Sequence, residues 1–238
     1  MRGIRLDVHV TFLAMLAYVA YDGWREQAWL GALVNILTMA AFFTCVVLHE
    51  LGHSFTARAF GVKVPRILLL PIGGMAQFDS VPRRPAHEIL IALAGPAVNA
   101  AIVAILAGFV ELPSWRTLAT ADLSAWQLLL VMNIIMGTFN LLPVFPMDGG
   151  RVLRAALAAK LPYLTATRWA VNIGKVLAVC GIIVMTCVFH HMMGGILFLF
   201  ILFAGELEYR HVLREETEAR RWEKFLQRLY ALPSESSR

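Results

Sequence analysis

The sequence predicts an all-α polytopic membrane protein: six transmembrane helices, with a small re-entrant β-hairpin between the second and the third. Composition is the first reason. The 238 residues are 59% hydrophobic and 16% charged, with a mean hydropathy of +0.67, whereas an ordinary soluble domain is about a quarter charged. The second is a set of apolar runs at about 6–21, 30–57, 86–110, 123–145, 169–190 and 192–207, close to the roughly 20 residues needed to span hydrocarbon. The third is the segment Val62 to Ser80, where β-branched and aliphatic residues flank Pro71-Ile72-Gly73-Gly74. Two short extended stretches around a Gly-Gly turn predict a hairpin.

In chain order, the first run is short and lacks a small-residue cleavage site before the next span, so it is predicted as a retained helix, not a signal peptide. The hairpin is too apolar for an ordinary loop and too short to span as a helix. Backbone of that kind is tolerated at membrane depth where it packs on protein, and an amphipathic loop lying on the surface is the alternative. The fifth and sixth runs are separated only around His190 and His191. Beyond Glu206 the chain becomes highly charged, with Trp222, Phe225, Leu226 and Leu229 at helical spacing. This predicts a membrane core over 1–208 and a charged tail over 209–238, an amphipathic helix followed by a disordered end from Pro233; a plain continuation of helix six reads equally well.

The formal net charge of +5 and a pI near 9.4 do not point to nucleic acid, because the basic residues border apolar spans and orient them. Arg58, Lys63, Arg66, Arg83, Arg84, Arg151, Arg154, Lys160 and Arg168 fall on one side, while Arg25 and Arg116 fall on the other. The positive-inside rule then puts both termini in the cytoplasm. Cys45, Cys180 and Cys187 all lie in apolar runs, which argues against a secreted disulfide framework.

Inside the second run stands His49-Glu50-Leu51-Gly52-His53. Histidines four apart stack on one helix face and can share a metal, while the glutamate between them can act as base towards water there. An ionisable residue near a bilayer centre costs about 2.5 to 3.5 kcal/mol, so it normally has a functional partner. At 1.5 Å per residue from Arg58, the histidines lie roughly 7 to 14 Å below the inner boundary. A catalytic zinc takes three protein ligands and leaves one position open. Helix four ends in Asn140-Leu141-Leu142-Pro143-Val144-Phe145-Pro146-Met147-Asp148-Gly149-Gly150, where two prolines interrupt the helix and Asp148 arrives at the same depth as the histidines. His49, His53 and Asp148 are the candidate ligands and Glu50 the candidate base.

These two motifs together resemble the intramembrane site-2 zinc metalloproteases. The resemblance extends to Val8-His9-Val10-Thr11-Phe12, Gly73-Gly74-Met75-Ala76 and Ala94-Gly95-Pro96-Ala97-Val98-Asn99, and is strongest with the six-helix prokaryotic branch. Many members of that branch carry a pair of CBS motifs after the last helix. Here only about thirty residues follow it, so the regulator is either naturally absent or was removed. The resemblance implies one catalytic zinc ion, membrane-anchored protein substrates and a prokaryotic cell membrane, with the active site toward the cytoplasm. It also implies an oxyanion contact from Asn140, for which a helix-end or interhelical hydrogen bond is the equal alternative. Gly73, Gly74 and Asn99 are implied as substrate contacts, and the hairpin offers an edge for an unwound substrate strand. Homo-oligomer formation is left open.

Other polar residues have plainer explanations. Cys45 reads as small packing, His9 and Asn99 as interhelical polar contacts, His190 and His191 as boundary residues, and His87 with Glu88 as a helix start. A metal transporter using the same three ligands, or a non-catalytic membrane chaperone, are the competing functions. Against transport stand Glu50, the lack of an inverted repeat and the scarcity of other intramembrane carboxylates.

Overall fold

A computed structural model describes residues 3–71, 73–77, 83–120 and 123–230. The chain divides into two compact units, Met1–Leu142 and Pro143–Arg238.

The first unit opens with strand β1 (Arg5–Val8), where a helix from about residue 6 is predicted. Its partner, β2 (Arg66–Leu70), lies some sixty residues on and pairs with it in parallel, Leu6 opposite Ile67 and Val8 opposite Leu69. A four-residue strand stabilised by so distant a neighbour leaves no local signature. His9 is extended, and its ring accepts a hydrogen bond from the Thr11 amide at 3.3 Å, so helix α1 (Val10–Ala59) starts at Val10. The run is not one rod: Gln27 and Ala28 leave helical geometry, Ala28 at φ 52°. Phe12 meets Phe43 edge-on at 4.6 Å, and the Asn35 amide donates to the Val19 carbonyl at 3.4 Å. A Cβ on Gly23 or Gly31 would overlap the other's carbonyl. One partner's number rises as the other's falls, so 10–26 and 29–59 form an antiparallel helical pair. The second predicted span falls in the arm 29–59, and the first, 6–21, falls in the other arm only from Val10 on.

The predicted hairpin is β2 with β3 (Gly73–Gln77), antiparallel, with Ile67 opposite Ala76 and Leu69 opposite Gly74. With β1 it makes a three-stranded sheet in the order β1-β2-β3, which leaves β3 as an edge. Alternation turns Ile67 and Leu69 inward, where they pack with Ile4, Phe12, Phe43, Val46 and Leu51. Ile72 and 78–80 of the predicted hairpin segment lie outside the described residues.

Helix α2 (Pro85–Ala107) begins with a proline at its first turn, where the missing N–H costs no helical bond. A short helix α3 (Trp115–Thr120) precedes α4 (Ala125–Asn140), which is opened by a capping box between Ser124 and Gln127. It ends at Asn140, short of the predicted 145.

The second unit starts with α5 (Asp148–Ala158), an amphipathic helix that the hydropathy pattern does not single out. It continues through α6 (Tyr163–Ile183), a π-helical turn over Val184–Val188, and α7 (Met192–Tyr230). His190, at φ 53°, breaks the chain between α6 and α7 where the sequence predicts the boundary. Helix α7 runs without interruption through residue 208. Phe145, Ala170 and Val171 form a core patch against Leu153, Leu157 and Tyr209. The predicted disordered end lies outside the described residues.

Four helices are long and apolar enough to cross a membrane by length and composition: Val10–Ala59, Pro85–Ala107, Tyr163–Val188 and Met192–Gln227. Ala125–Asn140 is apolar but shorter.

Candidate metal centre

His49 and His53 lie one helical turn apart on α1 and are 3% and 4% exposed. Their rings stand edge to face with centroids 4.7 Å apart, and their Nε2 atoms are 3.0 Å apart. Space for two imidazoles comes from missing side chains on α2 and α1. A Cβ on Gly95 would overlap the His53 ring and lie 2.7 Å from His49 Cε1, and one on Gly52 would lie 2.7 Å from the Ala94 carbonyl oxygen. Glycine at both places lets the two helices close around the ring pair.

The other ring nitrogens face oxygen acceptors. His49 Nδ1 is 2.5 Å from Asn99 Oδ1, and His53 Nδ1 is 2.7 Å from the Ile91 carbonyl oxygen. A carbonyl oxygen only accepts, so each Nδ1 carries the hydrogen and each Nε2 presents its lone pair. Two lone pairs converging at 3.0 Å call for a cation between them. Two Zn–N bonds of 2.0–2.1 Å at a tetrahedral angle would put the nitrogens about 3.3 Å apart, so the pair fits zinc.

Glu50, between the histidines in sequence, points to the sheet. Its Oε2 accepts from the Ala76 amide on β3 at 3.2 Å, and a Cβ on Gly74 would lie 2.6 Å from its Cγ. Gly74 thus brings the strand against the carboxylate, and Gly73, at φ 138°, takes a backbone shape that side chains resist. Asn99 is 1% exposed, with its oxygen on His49 and its amide donating to Asn133 Oδ1 at 2.9 Å. The structure therefore puts it behind a ring, among buried groups. Asn133 escaped sequence reasoning, although a lone amide in the apolar 125–140 run was the available signal. Asn140 donates to the Met136 carbonyl one turn back at 3.0 Å.

In the second unit, Asp148 is the first residue of α5 and 8% exposed. It stands at a helix N-terminus, where a carboxylate is favoured. Six residues on, Arg154 is 1% exposed; it donates to Glu208 Oε1 at 2.7 Å, and its guanidinium carbon is 5.1 Å from the ring centroids of both Phe145 and Tyr163. That clamp holds the segment leading into Asp148. Of the remaining candidates, His9 caps α1, His87 stacks on Phe60 at 4.0 Å, Cys45 is buried, and His191 accepts from the Gly194 amide.

A family model for peptidase family M50 matches residues 37–121 and 103–181, a stretch that contains the histidine pair, Asn99, Asn133, Asn140 and Asp148. The chain belongs to this family, the site-2 proteases. It is 37% identical over 219 residues to a zinc metalloprotease of Methanocaldococcus jannaschii, covering 88% of this chain and 59% of that protein. Stage IV sporulation protein FB of Bacillus subtilis is 26% identical over 193 residues, 76% of this chain and 64% of that one. The chain thus spans less than two thirds of either relative's length. The solved site-2 protease from Methanocaldococcus jannaschii superposes with a TM-score of 0.60 at 34% identity, covering 88% of this chain and 92% of that chain. With its long apolar helices, this site-2 protease relative is an integral membrane protein.

Proposed function

We propose that this chain is an intramembrane zinc endopeptidase that hydrolyses a peptide bond in or near the transmembrane segment of a membrane-anchored protein, as a step of regulated intramembrane proteolysis. The observation that carries the reading is the histidine pair: two buried Nε2 atoms 3.0 Å apart, each turned by an oxygen acceptor on its Nδ1. Similarity to a zinc metalloprotease and to a solved site-2 protease supports the protease class and the metal.

In this reading His49, His53 and Asp148 hold the ion. Asp148 is supported by its burial, its place at a helix start and the motif it belongs to. When bound, zinc supplies Lewis acidity that polarises a carbonyl and acidifies water. Glu50 takes the proton from the attacking water and returns it to the leaving amine. Asn140 Nδ2 spends one hydrogen on Met136, and its second can be given to the oxygen of the reacting carbonyl. The edge of β3, with Gly73 and Gly74, pairs with an unwound substrate strand.

The wider architecture is part of the proposal. Six spans cross the bilayer, two of them the arms of α1, with the sheet re-entrant between the second and third, both termini cytoplasmic and a charged tail beyond residue 208. The arms of α1 are antiparallel and α4 is apolar, which supports this count.

The test is zinc content of detergent-purified protein together with cleavage of a tethered transmembrane substrate. Wild type is expected to hold one zinc and cleave, Glu50→Gln to keep zinc and lose cleavage, and Asp148→Ala to lose zinc. Cleavage that survives Glu50→Gln overturns the protease reading and favours transport or a scaffold.

A further inference from the structure

The ring of His49 is oriented by a directed chain of hydrogen bonds that begins on a different helix. Asn133, in the middle of α4 and 0% exposed, donates from Nδ2 to the Leu129 carbonyl at 2.8 Å. That carbonyl is an acceptor under all conditions, so it fixes which way the Asn133 amide faces. Asn133 Oδ1 is thereby turned to Asn99 and needs a donor, which Asn99 Nδ2 supplies at 2.9 Å. The Asn99 oxygen is then left facing His49 Nδ1 at 2.5 Å, and the hydrogen must sit on Nδ1. The same Asn99 side chain reversed would set its NH₂ against the ring, and Nδ1 would have to accept. The tautomer would then be Nε2–H, which cannot bind a metal through Nε2.

We propose that Asn133 is a positioning residue for the metal: through Asn99 it holds His49 in the Nδ1–H tautomer, with the Nε2 lone pair on the metal side. The inference rests on the zinc reading above. Nothing in the arrangement lets Asn133 touch the ion or substrate, because both of its functional groups are spent on Leu129 and Asn99. Gly137, one turn along α4, brings the helix close enough, since a Cβ there would lie 3.2 Å from that of Asn99. The Asn133 and Asn99 amides carry no charge, so the relay conveys direction without placing charge beside the cation. His53 is a built-in contrast. Its Nδ1 meets the Ile91 carbonyl directly at 2.7 Å, and its tautomer is independent of Asn133.

The experiment is nitrogen NMR of the full-length protein labelled at histidine ring nitrogens, in detergent, first stripped of metal and then titrated with zinc against a competing chelator. In wild type, metal-free His49 and His53 are both expected as Nδ1–H. Asn133→Leu frees the Asn99 amide to reverse; His49 is expected to become a mixture of tautomers while His53 stays Nδ1–H. Zinc affinity should fall about 10- to 100-fold, the usual cost of losing an outer-shell partner. Asn133→Asp keeps an oxygen facing Asn99, and is expected to restore the His49 tautomer. Metal-free wild type with His49 as Nε2–H overturns the proposal without any variant. So does Asn133→Leu with unchanged His49 and zinc affinity, or one that disturbs His49 and His53 alike, since then Asn133 only packs α4. Failure of wild type to bind zinc would sink the protease reading instead, and the metal-free tautomers would still be readable.

Discussion

The two units keep polar side chains inside an apolar protein by different chemistry. In Met1–Leu142 the histidine pair is backed by buried amides, with His49, Asn99 and Asn133 joined in sequence by single directed hydrogen bonds. In Pro143–Arg238 the buried set is built around an ion, Arg154, paired with Glu208 and flanked by two aromatic rings. A charge pair holds two segments together but tolerates rotation of either partner, whereas an amide chain transmits which atom faces which. Metal ligands need the second property, and a backbone segment that has only to be held in place needs the first. The difference assigns orientation to one unit and clamping to the other.

Glu50, part-buried between the two histidines in sequence, is the side chain whose loss should have the largest effect. Glu50→Gln is expected to lower cleavage of a tethered substrate by about 10²- to 10⁴-fold, the range for removing a general base, with zinc content unchanged; a drop in zinc instead would make Glu50 part of the ligand set. Next comes the clamp. Arg154→Met should destabilise the protein, by less than the about 3 to 5 kcal/mol of a fully buried pair because Glu208 is 36% exposed and stays partly solvated, read from thermal unfolding in detergent. A change within 1 kcal/mol, on that same scale, would erase the contrast between the units. Gly95→Ala pushes a methyl into the ring pair and should cost about 1 to 3 kcal/mol by overpacking, with weakened zinc binding; tight zinc binding in that variant would mean the helices part easily. Smallest is Ser124→Ala, which removes the cap of α4 and should cost about 1 kcal/mol. It tests whether fraying α4 from its start reaches Asn133, and zinc affinity should not change.

Legibility from sequence followed the range of the interactions. The histidine pair and Glu50 are spelled out within a few residues, because one helical turn sets their geometry; the hairpin was readable too, but Gly73 and Gly74, read as its turn, pair with Leu70 and Leu69 as the start of β3. The break at His190 was also readable, as a polar interruption between apolar runs. Strand β1 was not, since its hydrogen bonds go to β2, far along the chain. Helix α5 was missed because its amphipathic pattern, with Arg151 and Arg154, is what a hydropathy scan passes over. Asn99 was noticed through its motif, but its role depends on meeting both His49 and Asn133, and only packing of α2 on α1 and α4 brings those together. Local chemistry was legible and its orientation was not, because orientation comes from other helices.

The 39 residues of α7 amount to a rod about 58 Å long at 1.5 Å per residue, nearly twice the roughly 30 Å of hydrocarbon in a bilayer. Glu208, the partner of Arg154, lies about 24 Å from one end and 33 Å from the other on the same rise. Mechanically that makes α7 a lever with its fulcrum at the clamp. A tilt applied to the far charged arm is carried to Arg154, and so to the segment leading into Asp148, with no hinge in the described helix to absorb it.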